Sequence, residues 1–189
     1  SGLFGLTALP NGVFAAFKDN LVYFSEPFRP HTWQYSVTFP LNVRGICVGA
    51  QSLVVTTAEG SYIVTGNTPK NMQPTRLPTP QAGVTHRSMA LIEGGVVFAS
   101  NDGIVAVQGS QATMNLSQQF FSREDWRGRY GDVLADMRFV YHDGFLVATS
   151  STQAKGFVVR LDEATGTFAQ WNVQCDCAYY LPVQDTLYY

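Results

Sequence analysis

The stretch that decides the fold is Met89-Ala90-Leu91-Ile92-Glu93-Gly94-Gly95-Val96-Val97-Phe98-Ala99-Ser100-Asn101-Asp102-Gly103-Ile104-Val105-Ala106-Val107-Gln108. Three apolar runs rich in β-branched residues are cut by Glu-Gly-Gly and Asn-Asp-Gly. Gly, Asn and Asp tolerate positive φ, so such triplets between apolar runs signal antiparallel hairpins. The run Gly95–Phe98 is apolar at every position rather than at alternate ones, as are Leu53–Val55 and Phe145–Ala148. A strand of that kind is buried on both faces.

Working outward, the central phrase recurs. It reads Asn20-Leu21-Val22-Tyr23-Phe24-Ser25, Ser52-Leu53-Val54-Val55-Thr56-Thr57, Gly95 to Ser100, and Gly144-Phe145-Leu146-Val147-Ala148-Thr149, with a weaker echo in Asp185-Thr186-Leu187-Tyr188-Tyr189. A strand precedes each of the first four across a short turn: Val13–Phe17, Val43–Val48, Met89–Ile92 and Met137–Tyr141. A third follows in three copies: Ser61–Thr65 after Glu59-Gly60, Ile104–Gln108 after Gly103, and Phe157–Leu161 after Lys155-Gly156. A fourth is expected over Met72–Leu77, Ala112–Leu116 and Thr167–Val173, the last introduced by the turn Asp162 to Gly166.

Residues 43–78, 88–117 and 137–173 therefore read as four-stranded antiparallel meanders, 12–39 as an irregular one, and 178–189 as two strands of another. Four-stranded units repeating about every 40–45 residues are the mark of propeller blades. A β-sandwich is the other all-β arrangement, but it would expose one polar, alternating face. The expectation is an all-β, propeller-like domain over 1–189 of about four to five blades, itself the propeller or the propeller portion of a longer chain. Two segments break the repeat. Ser122 with Asp125 three residues on forms a capping pattern, predicting a short helix near 123–130 within a helical insertion 122–130. Pro27 and Pro30 exclude a central strand and predict an ordered, irregular loop over 26–33.

Charge is sparse: 12 Lys and Arg against 14 Asp and Glu in 189 residues, net −2. That balance excludes a disordered chain and gives no general attraction for nucleic acid or anionic lipid, so neither sequence-specific nucleic-acid binding nor membrane binding is expected. Residues 1–87 carry three more basic than acidic groups and residues 88–189 five more acidic than basic ones, which is either scatter or two faces meeting oppositely charged neighbours. Cys47, Cys175 and Cys177 match no zinc spacing and no disulfide framework, which suggests reduced thiols. No span of membrane length occurs. The opening Ser1-Gly2-Leu3-Phe4-Gly5 has no signal-peptide character.

No phosphate loop, metalloprotease, nucleophile-elbow or dinucleotide motif is present. His31, His86 and His142 fall on separate loops. Glu59, Glu93 and Asp162 have no spacing that recommends paired-carboxylate chemistry. The chain is expected to be no enzyme and to have no catalytic, metal or cofactor-binding residues. Tyr, Trp and Arg are enriched at protein interfaces, so the candidate contact residues are Phe28, Arg29, His31 and Trp33 in the proline-bounded loop and Trp126, Arg127, Arg129 and Tyr130 in the insertion. Aromatics that plug gaps between blades would look the same.

Several of these phrases also carry a resemblance. Gly12 to Phe17, Val22-Tyr23-Phe24-Ser25-Glu26-Pro27, Pro30-His31-Thr32-Trp33, Tyr62 to Gly66, Ala99 to Gly103 and Phe120-Phe121-Ser122-Arg123-Glu124-Asp125-Trp126 follow one another as in structural proteins of short-tailed bacteriophages. The chain resembles the virion proteins that form the tail tube or nozzle and carry propeller domains. The resemblance covers roughly residues 12–130. It implies a structural role in the virion tail, manufacture in the bacterial cytoplasm, and partnership with other phage tail subunits in a ring-forming homo-oligomer. From the residues alone, a ligand- or glycan-binding, receptor-binding propeller module is the alternative, with Tyr179, Tyr180, Tyr188 and Tyr189 as an apolar platform.

Overall fold

The computed structural model describes residues 2–50, 52–109, 112–161, 166–181 and 183–188. The turn residue Asp162 and the terminal Tyr189 lie outside them. The described chain is all-β and propeller-like: four four-stranded antiparallel meanders and a two-stranded hairpin, with one α-helix. The first sheet contains β1 (Phe4–Ala8), β2 (Phe14–Lys18), β3 (Leu21–Glu26) and β4 (Arg29–Thr38). The second contains β5 (Val43–Val48), β6 (Leu53–Thr57), β7 (Ser61–Thr65) and β8 (Gln73–Arg76). The third contains β9 (Met89–Ile92), β10 (Gly95–Ser100), β11 (Gly103–Gln108) and β12 (Ala112–Asn115), and the fourth β13 (Met137–His142), β14 (Phe145–Ser150), β15 (Gly156–Arg160) and β16 (Thr167–Trp171). The hairpin is β17 (Tyr179–Leu181) with β18 (Thr186–Tyr188). Within each sheet the spatial order is the chain order.

First strands of consecutive sheets touch: β1 meets β5, β5 meets β9, β9 meets β13, and β13 meets β17. They form the inner side of the array, and the fourth strands form its outer rim. These inner strands begin at residues 4, 43, 89, 137 and 179, so successive starts lie 39, 46, 48 and 42 residues apart. The repeat is more even than the spacing of the recurring phrase, because the first copy of the phrase falls one strand later in its sheet than the others. Leu21–Glu26 is the third strand of its sheet, whereas the other three phrases are second strands. The first strand of that sheet, Phe4–Ala8, has no strand signature in sequence, because its apolar residues Phe4 and Leu6 are exposed and Gly5 interrupts it at φ +63°.

Strands apolar on both faces are explained by the wedges between sheets. On β6, Leu53 and Val55 pack toward the first sheet with Phe24, Ile46 and Val22, while Val54 points the other way to Val96, Phe98 and Val105 of the third. On β10, Val96 and Phe98 serve that second wedge, and the alternate Val97 and Ala99 serve a third one with Met137, Leu146, Phe157 and Val159 of the fourth sheet. Side chains alternate across a strand, so a central blade needs apolar residues at every position. At about 25 cal/mol per Å² buried, these wedges are the main favourable term in folding. Gly103 and Gly156 begin the third strands β11 and β15, and Gly60 immediately precedes β7, so the three occupy equivalent hairpin turns.

The segment 26–33 is not an irregular loop. Chain reversal takes only Pro27 and Phe28, and Arg29–Thr38 is a ten-residue strand paired with β3 through two register irregularities. Pro30 is accommodated because β4 is an edge strand, where a missing backbone donor breaks no ladder on the open side.

Candidate functional site: the outer edge strand and the helical insertion

The hairpin tip at Pro27-Phe28 presents its aromatic ring in a fixed place. Phe28 adopts φ 58°, its amide donates to the carbonyl of Gly12 over 2.8 Å, and its side chain is 81% exposed. Gly12 has φ +75°, and a Cβ there would lie 2.5 Å from the Phe28 ring. The bare glycine thus lets the ring rest against the backbone while most of it faces water. Beyond the tip, Arg29 and His31 are exposed and Trp33 is half-buried along β4. The strand is anchored further on by Tyr35, whose hydroxyl donates to Glu26 over 2.8 Å. The bond to the Glu26 carboxylate raises the phenol above its ordinary pKa, with smaller contributions from burial and from the Glu26 charge.

The helical insertion is the helix α1, Arg123–Tyr130, capped by the Ser122 hydroxyl, which accepts from the Asp125 amide over 3.1 Å. Its contact candidates divide in two. Trp126 and Tyr130 are buried at 0% and 1% exposure in the wedge between the third and fourth sheets. Trp126 lies 5.7 Å from the Phe157 ring and Tyr130 5.2 Å from it. They are core residues, which corrects their assignment as contacts. The helix turns one apolar face inward at i and i+4, and the blade interface has room for large rings there. Arg127 stays exposed and pairs with Asp102 in the β10–β11 turn. Arg129 lies over the Phe121 ring at 5.0 Å.

The two insertions are not brought together. Phe28 sits at the end of the blades that carries the first-to-second and third-to-fourth strand turns, whereas Asp102 and the helix sit at the opposite end. The carboxylates Glu59 and Glu93 are likewise parted, one in a second-to-third turn and the other in a first-to-second turn. Asp162 is outside the described residues.

The histidines also differ from their placement on separate loops. His31 is within β4, and His86 opens a short 3-10 turn, His86–Ser88, with its ring 6.0 Å from Phe17. His142 ends β13 and stacks on Tyr180 at 4.2 Å. Tyr180 in turn donates to Asp185 over 3.0 Å, so it is tied into the hairpin rather than forming an open platform with Tyr179 and Tyr188. This His142–Tyr180–Asp185 cluster was missed from sequence, and 38 residues separate His142 from Tyr180. Cys47 is a half-buried free thiol pushed up to about 12 by burial, which makes it a poor nucleophile. Among the described residues no group of His, Cys, Asp and Glu could hold a metal ion.

One cleft lies between the second and third sheets, at the same end as Phe28. It encloses about 400 Å³ and is lined by Gly49, Ser52, Thr65, Asn67, Gly95 and Val107 among others. Its lining is glycine and small or medium side chains, and among the described residues it has no aromatic ring and no charge.

No family model matches the chain, and no curated protein matches its sequence. Solved structures do resemble its fold. BBS1N in complex with ARL6DN is similar at TM-score 0.56 and 10% identity, with 93% of this chain and 56% of that one covered. The N-terminal domain of Nup159 is similar at 0.53 and 12%, covering 92% and 45%. The AfRom2 CNH domain is similar at 0.53 and 10%, covering 96% and 62%. The chain spans about half the length of the first two and 62% of the third. At such identities the likeness concerns the propeller fold alone.

Proposed function

We propose that this propeller module is a non-enzymatic structural component of a tailed-phage virion, a part of the tail tube or nozzle that works by protein–protein contact. The observation that carries the reading is the outer edge of the first blade. A ten-residue edge strand follows an 81% exposed Phe28 at the hairpin tip and runs through exposed Arg29 and His31 past Trp33. An exposed aromatic next to an exposed arginine on an open strand edge is suited to partner recognition, because these residue types supply much of the contact energy at protein interfaces. The sequence resemblance to tail proteins over residues 12–130 supplies the biological setting, and its Phe24-Ser25-Glu26-Pro27 and Pro30-His31-Thr32-Trp33 pieces build this hairpin. Assembly into a ring with other copies is part of the proposal.

The test is composition. Virions of a phage that encodes the chain, purified through a density gradient, should contain it in fixed ratio to the other tail proteins. Its absence from intact particles would refute the assignment. The cleft of about 400 Å³ is the feature that favours a ligand-binding module instead. Retention of the chain on a glycan array, together with its absence from virions, would establish that second reading.

A further inference from the structure

We propose that the exposed Phe28 ring of one copy of this chain enters the cleft between the second and third sheets of another copy, where Arg29 of the first meets Glu93 of the second. The inference rests on the reading of the Phe28 edge as a contact surface, and it names what receives that edge. The knob is the tip of the β3–β4 hairpin, where Phe28 is 81% exposed and the next residue, Arg29, is exposed beside it. Among the described residues Arg29 is in no ion pair. The second blade separates Phe28 from the cleft of its own chain.

The hole has the size and chemistry for such a ring. The cleft encloses about 400 Å³, and a void of roughly 150 Å³ already holds a benzene molecule. Val54, Val96 and Val107 of the wedge core form its floor, and the exposed Gly94 and Gly109 border its mouth. A Cβ on either glycine would meet nothing within 4 Å, so the mouth is open. Thr65 flanks the mouth on the second sheet; it is exposed, and it faces the third sheet because Ile63, two residues before it, does. An uncharged ring enters this lining without stranding a charge, and it takes its own apolar surface out of water. Glu93 supplies the complement to Arg29. It is exposed in the β9–β10 turn that brings Gly94 and Gly95 to the cleft, on the crest between this cleft and the wedge of the third and fourth sheets. Among the described residues Glu93 is in no ion pair either. Opposite charges at the rim fix the register of an interface. Knob and hole lie on different blades, so a pair of copies still carries one free knob and one free hole. The contact is therefore heterologous, the kind that passes from copy to copy and closes into rings.

The experiment measures self-association of the full chain by sedimentation equilibrium. The wild type should associate as its concentration rises. Phe28→Ala, and Thr65→Trp, which fills the cleft mouth with an indole, should each weaken association about tenfold or more, as loss of an interface anchor does. An equimolar mixture of these two variants should form one-to-one pairs and grow no further, because one brings the intact cleft and the other the intact ring. Arg29→Glu and Glu93→Arg should each weaken association about fivefold by setting like charges together, and the chain carrying both changes should recover most of the loss. This charge exchange carries the test if Thr65→Trp does not fold. A wild type that stays monomeric up to about 1 mM would overturn the inference. Association or tail assembly that falls with Phe28→Ala and Arg29→Glu, yet is untouched by Thr65→Trp and Glu93→Arg, would also overturn it. In that case the Phe28 edge remains a contact, made to a different partner. Tail assembly untouched by all four changes would remove the reading of the edge as well.

Discussion

The indole N–H of Trp126 donates to the carbonyl oxygen of Ser100 over 3.1 Å, joining the helical insertion to the last residue of the second strand of the third blade. The ring is fully buried among Tyr130, Phe121 and Phe157. The insertion is therefore part of the wedge that holds the third and fourth sheets together. Trp126→Ala should cost about 3–5 kcal/mol of unfolding free energy, the usual loss for a buried large aromatic. Trp126→Phe should cost less, because it keeps most of the packing and loses one hydrogen bond of about 1 kcal/mol. Urea denaturation followed by circular dichroism measures both.

A glycine tests the blade turns. Gly103 has φ +142°, and a Cβ there would stand 2.0 Å from the Ser117 hydroxyl and 2.7 Å from the Asn115 side chain. Those two side chains satisfy the neighbouring backbone: Ser117 accepts from the Ile104 amide over 3.1 Å and Asn115 donates to the Asp102 carbonyl over 3.2 Å. Gly103→Ala should lower the melting temperature more than Gly94→Ala, whose position has φ +78° but open space around it. Equal shifts in the two variants would contradict the close approach.

The blade pattern was legible in sequence because Leu53-Val54-Val55 and Val96-Val97-Phe98 feed two wedges at once, and continuous apolar strands betray two buried faces. The edges of the repeat were harder to read. Phe4–Ala8 is a first strand whose apolar side chains Phe4 and Leu6 are exposed, and Arg29–Thr38 is a strand despite Pro30 because it is an edge of its sheet, its outer side unpaired among the described residues. The contact candidates were half legible. Residue type alone cannot distinguish Trp126, which is buried, from Phe28, which is exposed. The i, i+4 spacing of Trp126 and Tyr130 on a capped helix was the available signal for an inward face.

His86 makes stability depend on pH. Its folded pKa lies below the ordinary value, chiefly through burial, so the unfolded chain binds the proton more readily. By linkage, stability is full above the ordinary histidine pKa of about 6.5 and declines as pH falls through the lower folded value. Melting temperatures between pH 7.5 and 5 should fall in the wild type and fall less in His86→Gln. A parallel decline in both would locate the sensitivity elsewhere.

The stack of His142 on Tyr180 at 4.2 Å, with Asp185 accepting from Tyr180, ties the last hairpin to the fourth blade. His142→Ala should therefore speed amide exchange over 179–188 while the wedge strands β10 and β14 keep their protection. Such local opening is the behaviour of a unit with few buried apolar contacts. Unchanged exchange in the hairpin would show that β13 and β17 hold without the stack.

The central claim is that the open edge of the first blade makes the assembly contact. Its most direct measurement is tail or ring assembly by the complete subunit carrying Phe28→Ala, Arg29→Ala and His31→Ala together, three exposed positions outside the wedge cores. Electron microscopy and sedimentation of the product should show unassembled subunits, while strand content and melting temperature remain within the small change usual for surface substitutions. Rings or tails that form in normal yield from the triple variant would contradict the account.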